Sequence, residues 1–353
     1  MQRAGPQSLP QPRRHGRLRR RLELWAALVL LSFLAGLLHY LLLGRTGSAL
    51  EQGLVGAAIG GAAMGMEIFV LRGRAGAFLR RMGFLSALLL RTLLFGAAIV
   101  AALILSVAAF IGISDMGLWL RSAAFLQSFL YSLLVSVAVA GLAQISRLVG
   151  GSVLLKILLE RYSRPVAEER IFLFLDLCDS TRIAEEVGDM EAYAFITGFF
   201  FDISDTVVQW DGETHAYVGD EVIVTWPLKS PAENGRAVAC FFAIRDFVEG
   251  RAEHYRRRFG RVPRFRAGLH GGPVVAGECG DDKRQIVYLG DTVNTAARLE
   301  GFAKSHEAEL AISEDLLSVT SLPAGIRAEL LGQEPLRGRQ AATRIYGLGR
   351  QES

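Results

Sequence analysis

The chain has 353 residues, 51% of them hydrophobic, and a formal net charge of +4. That length suits two domains, and composition changes near residue 150 from Leu/Ala/Gly/Val-rich to the mixed charge of a soluble domain. Three cysteines, Cys178, Cys240 and Cys279, are an odd number without metal-ligand spacing, which argues against a disulfide framework and for buried or idle cytosolic thiols.

Residues 1–22 form a basic tail in which seven arginines precede the first acid, Glu23. Beside an apolar span such a tail marks the cytoplasmic side of a membrane, and no nucleic-acid partner is expected. Residues 24–43 carry no charge and are long enough to cross a bilayer. Leu41-Leu42-Leu43 runs into Gly44-Arg45 without a small-residue cleavage site, so a retained span is favoured over a signal peptide. A second span covers about 52–71, with Gly56, Gly60, Gly61 and Gly65 spaced for close helix packing against an unidentified partner. Glu67 is placed near its end, in reach of interfacial water. The third span is 92–113 with a helical lead-in from 84, and the fourth is 122–146. Arginine asymmetry puts both termini and the middle loop (Arg72, Arg74, Arg80, Arg81) in the cytoplasm. The 23–148 region is therefore expected to be a four-helix, multi-pass domain of the inner membrane. His39, alone among the spans, reads as a polar residue near the outer interface. Residues 149–168 read as a helical connector ended by Pro165, short for a coiled coil but able to pair two protomers.

From 169 to 353 strand and helix patterns alternate. Arg170–Leu175 reads as a buried strand, 180–210 as helix, and Thr214–Val218 with Val222–Trp226 as a hairpin turning at Gly219-Asp220-Glu221. A helix across 231–258 follows, then strands near 264–270, 273–278 and 285–289, and a helix from about 292. The expected class is α+β, with helices on one face of a largely antiparallel sheet.

Asp176 follows a buried strand and Asp220 tips a hairpin; carboxylates on neighbouring strand ends can hold magnesium over a triphosphate, although an Asp at a turn is more often solvated or capping. Asp179-Ser180-Thr181 opens a helix whose free N–H groups can receive phosphate, or is a plain N-cap. Asn294 and Arg298, four apart, share a helix face.

Gly290-Asp291-Thr292-Val293-Asn294-Thr295-Ala296-Ala297-Arg298-Leu299-Glu300 resembles the signature of the class III nucleotidyl cyclases. Phe174–Thr181, Gly219-Asp220-Glu221 and Gly268–Gly277 resemble that family's other motifs, in order, across about 170–347. The resemblance implies a ferredoxin-like class III cyclase catalytic domain acting as a membrane-bound adenylate cyclase, which makes 3′,5′-cyclic AMP and pyrophosphate from ATP. It implies a homodimer with shared sites, two Mg²⁺ or Mn²⁺ ions held by Asp176, Asp220 and the Leu177 carbonyl, and phosphate binding at Asp179, Ser180 and Thr181. Asn294 from the partner chain would position the ribose, and Arg298 would stabilise charge on the α-phosphoryl group. Leu336-Arg337-Gly338-Arg339 resembles a late phosphate-gripping motif, with Arg339 preferred and Arg337 in reserve. The plain alternative for Arg298 is a surface arginine paired with Glu300 or nearby acids.

Two positions depart from the family pattern. The lysine and aspartate (or threonine) that read adenine in many members are Ala216 and Val287 here; His215 and Lys283 are candidate substitutes, but neither occupies the matched place. GTP therefore stands as the alternative substrate. A diguanylate cyclase is disfavoured by Val218 and Val222 flanking the Gly219–Glu221 turn. A catalytically silent membrane receptor or scaffold is the remaining alternative.

Overall fold

The computed structural model describes residues 16–43, 48–71, 84–110, 117, 120–149, 162, 164–281, 284–334 and 342–351. The described residues fall into two compact units, one within residues 15–155 and one within residues 156–353. Most of the expected connector lies outside the described residues.

In the first unit, α1 (Gly16–Leu43), α2 (Ala49–Gly65), α3 (Phe84–Phe110) and α4 (Ala123–Val149) occupy the four apolar stretches. Helix α2 starts at a capping box: the Ser48 side chain accepts from Glu51 N–H, and the Glu51 carboxylate accepts from Ser48 N–H. It runs on into one π-helical turn, Met66–Leu71. The packing partner of the glycine-rich span is α1 of the same chain. A Cβ at Gly36 would collide with the Gln52 carbonyl, and one at Gly56 with the Ser32 carbonyl. Trp25 Nε1 donates to the Gly61 carbonyl across the same crossing (3.0 Å). Glu67, expected to reach water, is instead buried at 5% exposure in the π-helical turn. Among the described residues two helical segments, Arg21–Leu42 and Ala49–Val70, are long and apolar enough to cross a membrane, and Thr92–Leu105 and Phe125–Ala138 are shorter apolar runs.

The second unit is built on an eight-stranded sheet, order β2-β3-β1-β4-β6-β8-β7, with β5 also paired to β4. In chain order the elements are β1 (Val166–Leu177), α5 (Ser180–Val187), α6 (Asp189–Gln209), β2 (Glu213–Val218), β3 (Glu221–Pro227), α7 (Pro231–Gly250), α8 (Ala252–Phe259), β4 (Phe265–Cys279), β5 (Gln285–Leu289), α9 (Asp291–Ser305), β6 (Leu310–Ser313), α10 (Glu314–Ser318), β7 (Ile326–Glu334) and β8 (Thr343–Arg350). The α+β class holds. Strand pairs are antiparallel except β4 with β6.

Three expectations are corrected. The helix expected over 231–258 breaks at Arg251 into α7 and α8. The two strands expected near 264–278 are one strand, β4. Gly271-Gly272-Pro273 does not turn, because β1 is long enough to pair with β4 from Val166↔Ala276 to Leu177↔Phe265. Those glycines instead admit neighbours: a Cβ at Gly272 would sit 2.9 Å from Thr292 Oγ1. Finally, helices cover both sheet faces. Ile171, Leu173, Leu175 and Leu177 alternate onto one face with Phe199, Ile203, Phe241 and Ile244 of α6 and α7. On the other face Leu299 and Ala303 of α9 pack on Ala311 and Ile345.

Candidate active site

The second face carries the candidate site residues. Asp176 lies opposite Glu221 on β3 and Arg266 on β4. Asp220 sits in the β2–β3 turn, opened by Gly219 at φ +63°, a conformation glycine adopts without strain. Leu177 N–H donates to the Asp220 carbonyl (3.2 Å), and Ser180 Oγ donates to the Asp220 carboxylate. Asp176, Leu177, Ser180 and Asp220 are thus brought together as the sequence suggested.

Negative charge accumulates here. Burial pushes the Asp176 carboxyl up to about 7, helped by Asp220 and Glu300 and opposed by Lys304 and Arg266. Burial also pushes Glu221 up to about 7, reinforced by Asp176, Glu300 and Asp220. Glu300 is raised chiefly by burial, with Arg266 and Lys304 opposing. Arg266 is committed elsewhere, since its Nε and Nη2 donate to Cys178 Sγ at 3.3 and 3.0 Å. Cys178 is therefore engaged, Cys240 is fully buried and Cys279 is exposed.

Asp179 occupies the N-cap position of α5 at φ +64°, and its side chain makes no capping hydrogen bond. It faces Arg182 at 3.5 Å instead. The N–H groups of the first turn of α5, at Ser180 and Thr181, thus have no side-chain cap, which suits an anion.

Helix α9 is seated by Thr292, Thr295, Ala296, Leu299 and Ala303, all buried. At 3.6 residues per turn this places Asn294 and Arg298 on its outward side, about 200–240° round from Thr292. Neither side chain has a hydrogen-bond or ion-pair partner among the described residues. The alternative pairing of Arg298 with Glu300 is not formed. Glu300 turns toward Asp176 and Asp220, and its Oε1 is buried without a hydrogen-bond partner.

No three His, Cys, Asp or Glu side chains converge as a metal cluster among the described residues. A cation here would rest on two aspartates plus backbone oxygen. The donor set fits a hard divalent ion: carboxylate and carbonyl oxygens, surplus negative charge, and an orphaned Glu300 oxygen beside them.

Strand β2 bulges at His215, between Thr214↔Val224 and Ala216↔Ile223. A bulge puts two residues opposite one, and Tyr217 beyond it packs on Phe200, so His215 and Ala216 share the second face. The His215 ring meets Tyr288 edge-on at 5.0 Å, and Arg170 lies over the same Tyr288 ring at 5.0 Å. Burial and then Arg170 hold His215 below its ordinary pKa. Arg337, Arg339 and Lys283 lie outside the described residues. Sequence reasoning gave no site role to Glu221, Glu300, Arg266 and Lys304. For Glu300 the available signal was its four-residue spacing from buried Ala296.

The family model for the adenylate and guanylate cyclase catalytic domain matches residues 165–348. Among curated relatives, Adenylate cyclase 2 of Rhizobium meliloti (strain 1021) is 39% identical over 223 residues, 63% of this chain and 61% of the relative. Adenylate cyclase 1 of the same strain is 30% identical over 184 residues, 51% of this chain and 27% of the relative. The chain therefore spans less than two thirds of either relative. The structure of a bacterial light-regulated adenylyl cyclase superposes with a TM-score of 0.55 at 19% identity, covering 65% of this chain and 67% of that one, a likeness of fold.

Proposed function

Since the chain belongs to the adenylate and guanylate cyclase catalytic-domain family through residues 165–348, we propose that it is a membrane-anchored adenylate cyclase converting ATP to 3′,5′-cyclic AMP and pyrophosphate. The 39% identity to Adenylate cyclase 2 supports ATP over GTP. The observation that carries the reading is the divided geometry of the site. Asp176 and Asp220 lie on one side of α9, whereas Asn294 and Arg298 face outward with no partner among the described residues of their own chain. That division suits a homodimer completing each site with a second chain.

Divalent ions, Mg²⁺ or Mn²⁺, two per site, would be held by Asp176, Asp220 and the Leu177 carbonyl; bound there they would acidify the ribose 3′-hydroxyl and neutralise the triphosphate. The chain's own groups do the rest. Backbone N–H groups at Ser180 and Thr181, beside Asp179, receive phosphate oxygens. Asn294 of the partner subunit orients the ribose so that its 3′-oxygen lines up with the α-phosphorus. Arg298 of the partner subunit stabilises charge on the α-phosphoryl oxygens as pyrophosphate leaves, and Arg339, with Arg337 in reserve, holds the departing phosphates. His215 is the side chain we assign to the purine edge, because the β2 bulge sets it beside Ala216 on the same face.

Residues 23–148 are proposed as a four-span anchor, with the 1–22 tail, the 149–168 connector and the 169–353 catalytic domain in the cytoplasm. Outward-facing Leu30, Leu34, Leu38, Leu41 and Leu42 on α1 support a lipid environment. Purified protein given ATP or GTP with Mg²⁺ or Mn²⁺ should make cyclic AMP in excess of cyclic GMP. Neither product, from intact dimers, would sink the enzyme reading in favour of a silent receptor; cyclic GMP in excess would favour a guanylate cyclase.

A further inference from the structure

The backbone that carries Glu300 is held on β4 by a close approach of backbones. A Cβ at Gly268 would strike the Glu300 nitrogen and come within 2.5 Å of the Ala296 carbonyl oxygen, so α9 lies directly on β4 at this point. There the Glu300 carboxyl lies within electrostatic reach of Asp176, Asp220 and Glu221. Its Oε1 is buried and accepts no hydrogen bond. Arg266 could have supplied one, but its Nε and Nη2 are directed at Cys178. A buried acceptor left without a donor is costly, and a native site keeps one where a ligand brings the donor.

We infer that Glu300 is a positioning residue for the cation site, its Oε1 accepting from a water that the divalent ion carries. The inference rests on the two-metal reading above. Magnesium-type ions retain part of their hydration shell, and carboxylates around that shell fix its orientation. Asn294 and Arg298 serve the partner's site from α9, while Glu300 serves its own chain's site from the same helix. One helix thus couples the two halves.

The test is Mn²⁺ binding to the full-length protein in detergent without nucleotide, followed by the electron paramagnetic resonance of free Mn²⁺ and by thermal shift. Glu300→Ala removes charge and acceptor, and should weaken Mn²⁺ binding on the order of tenfold. Glu300→Gln keeps an acceptor oxygen without the charge, and should fall between wild type and Glu300→Ala. The metal-free melting temperature of Glu300→Ala should not drop, since an unpaired buried acceptor is removed. Wild-type Mn²⁺ affinity in Glu300→Ala, or equal weakening in both variants, overturns the inference. Should Glu300→Ala not fold, unchanged affinity in Glu300→Gln overturns it equally. Absence of Mn²⁺ binding to the wild type overturns the two-metal reading itself, and the role of Glu300 with it.

Discussion

Arg298 and Glu300 stand two residues apart on α9 and about 200° apart around its axis, so one faces away from its own chain's aspartates and the other toward them. In the proposed homodimer, this opposition would let eleven consecutive residues, Gly290–Glu300, serve two sites at once.

If the sites are shared, two inactive chains should complement each other. Asp176→Ala lacks its own cation ligand, and Arg298→Ala lacks what it lends its partner. Mixed in equal amounts, they should recover roughly a quarter of wild-type cyclic AMP synthesis, because half of randomly paired dimers are mixed and each mixed dimer has one intact site. No recovery with mixed dimers demonstrated would count against sharing.

Asp220 tips a turn, holds Ser180 and adds to the local negative charge. Asp220→Ala should lower cyclic AMP synthesis on the order of 100-fold or more, at least the upper range seen for residues that merely support a metal ligand. Its melting temperature should stay within about 4 °C of wild type, since a turn carboxylate contributes little to stability. Full activity would remove Asp220 from the cation site.

Without metal, the domain should lose stability as pH rises. The folded-state pKa of Asp176 is raised from 3.8 to about 7, so between those values the folded state binds more protons than the unfolded chain. Glu221 shifts the same way, from 4.5 to about 7. Stability therefore falls with increasing pH across this window. Melting temperatures in chelator should decline from about pH 4.5 to about pH 7.5, and Asp176→Asn should flatten the decline. A rise with pH in wild type that Asp176→Asn removes would contradict the assignment.

Gly268→Ala should damage stability and activity together. The added methyl meets backbone of α9 that cannot swing aside, so the helix must shift, at about 1–3 kcal/mol. Asn294, Arg298 and Glu300 move with it, so kcat should fall along with the melting temperature. A variant with both unchanged would show that α9 is not seated on Gly268.

His215→Ala should reduce discrimination between ATP and GTP. Loss of one hydrogen bond to the purine, about 1.4 kcal/mol, corresponds to about tenfold in the ratio of kcat/KM values. The control is Tyr217→Phe, one residue past Ala216 and packed on Phe200 on the opposite face, which should leave the ratio alone. An unchanged ratio in His215→Ala would move base selection to other residues.

The sequence by itself determined what depends on short range. A compact apolar run, Ile171–Leu175, placed β1, the Gly219–Glu221 turn placed the hairpin, and helical spacing put Asn294 and Arg298 on one face. The order of four motifs identified the family. The tertiary structure decided what depends on partners distant in the chain. Gly271-Gly272-Pro273 resembles a turn locally, yet β1 pairs across it and keeps β4 straight. The bulge at His215 exists only against β3, and it alone brings His215 to the face of Ala216. Glu300 read as a possible surface partner of Arg298 until the contact of α9 with Gly268 turned it inward. Local pattern fixes which faces a helix or strand offers, whereas burial and charge at a site come from which elements those faces meet.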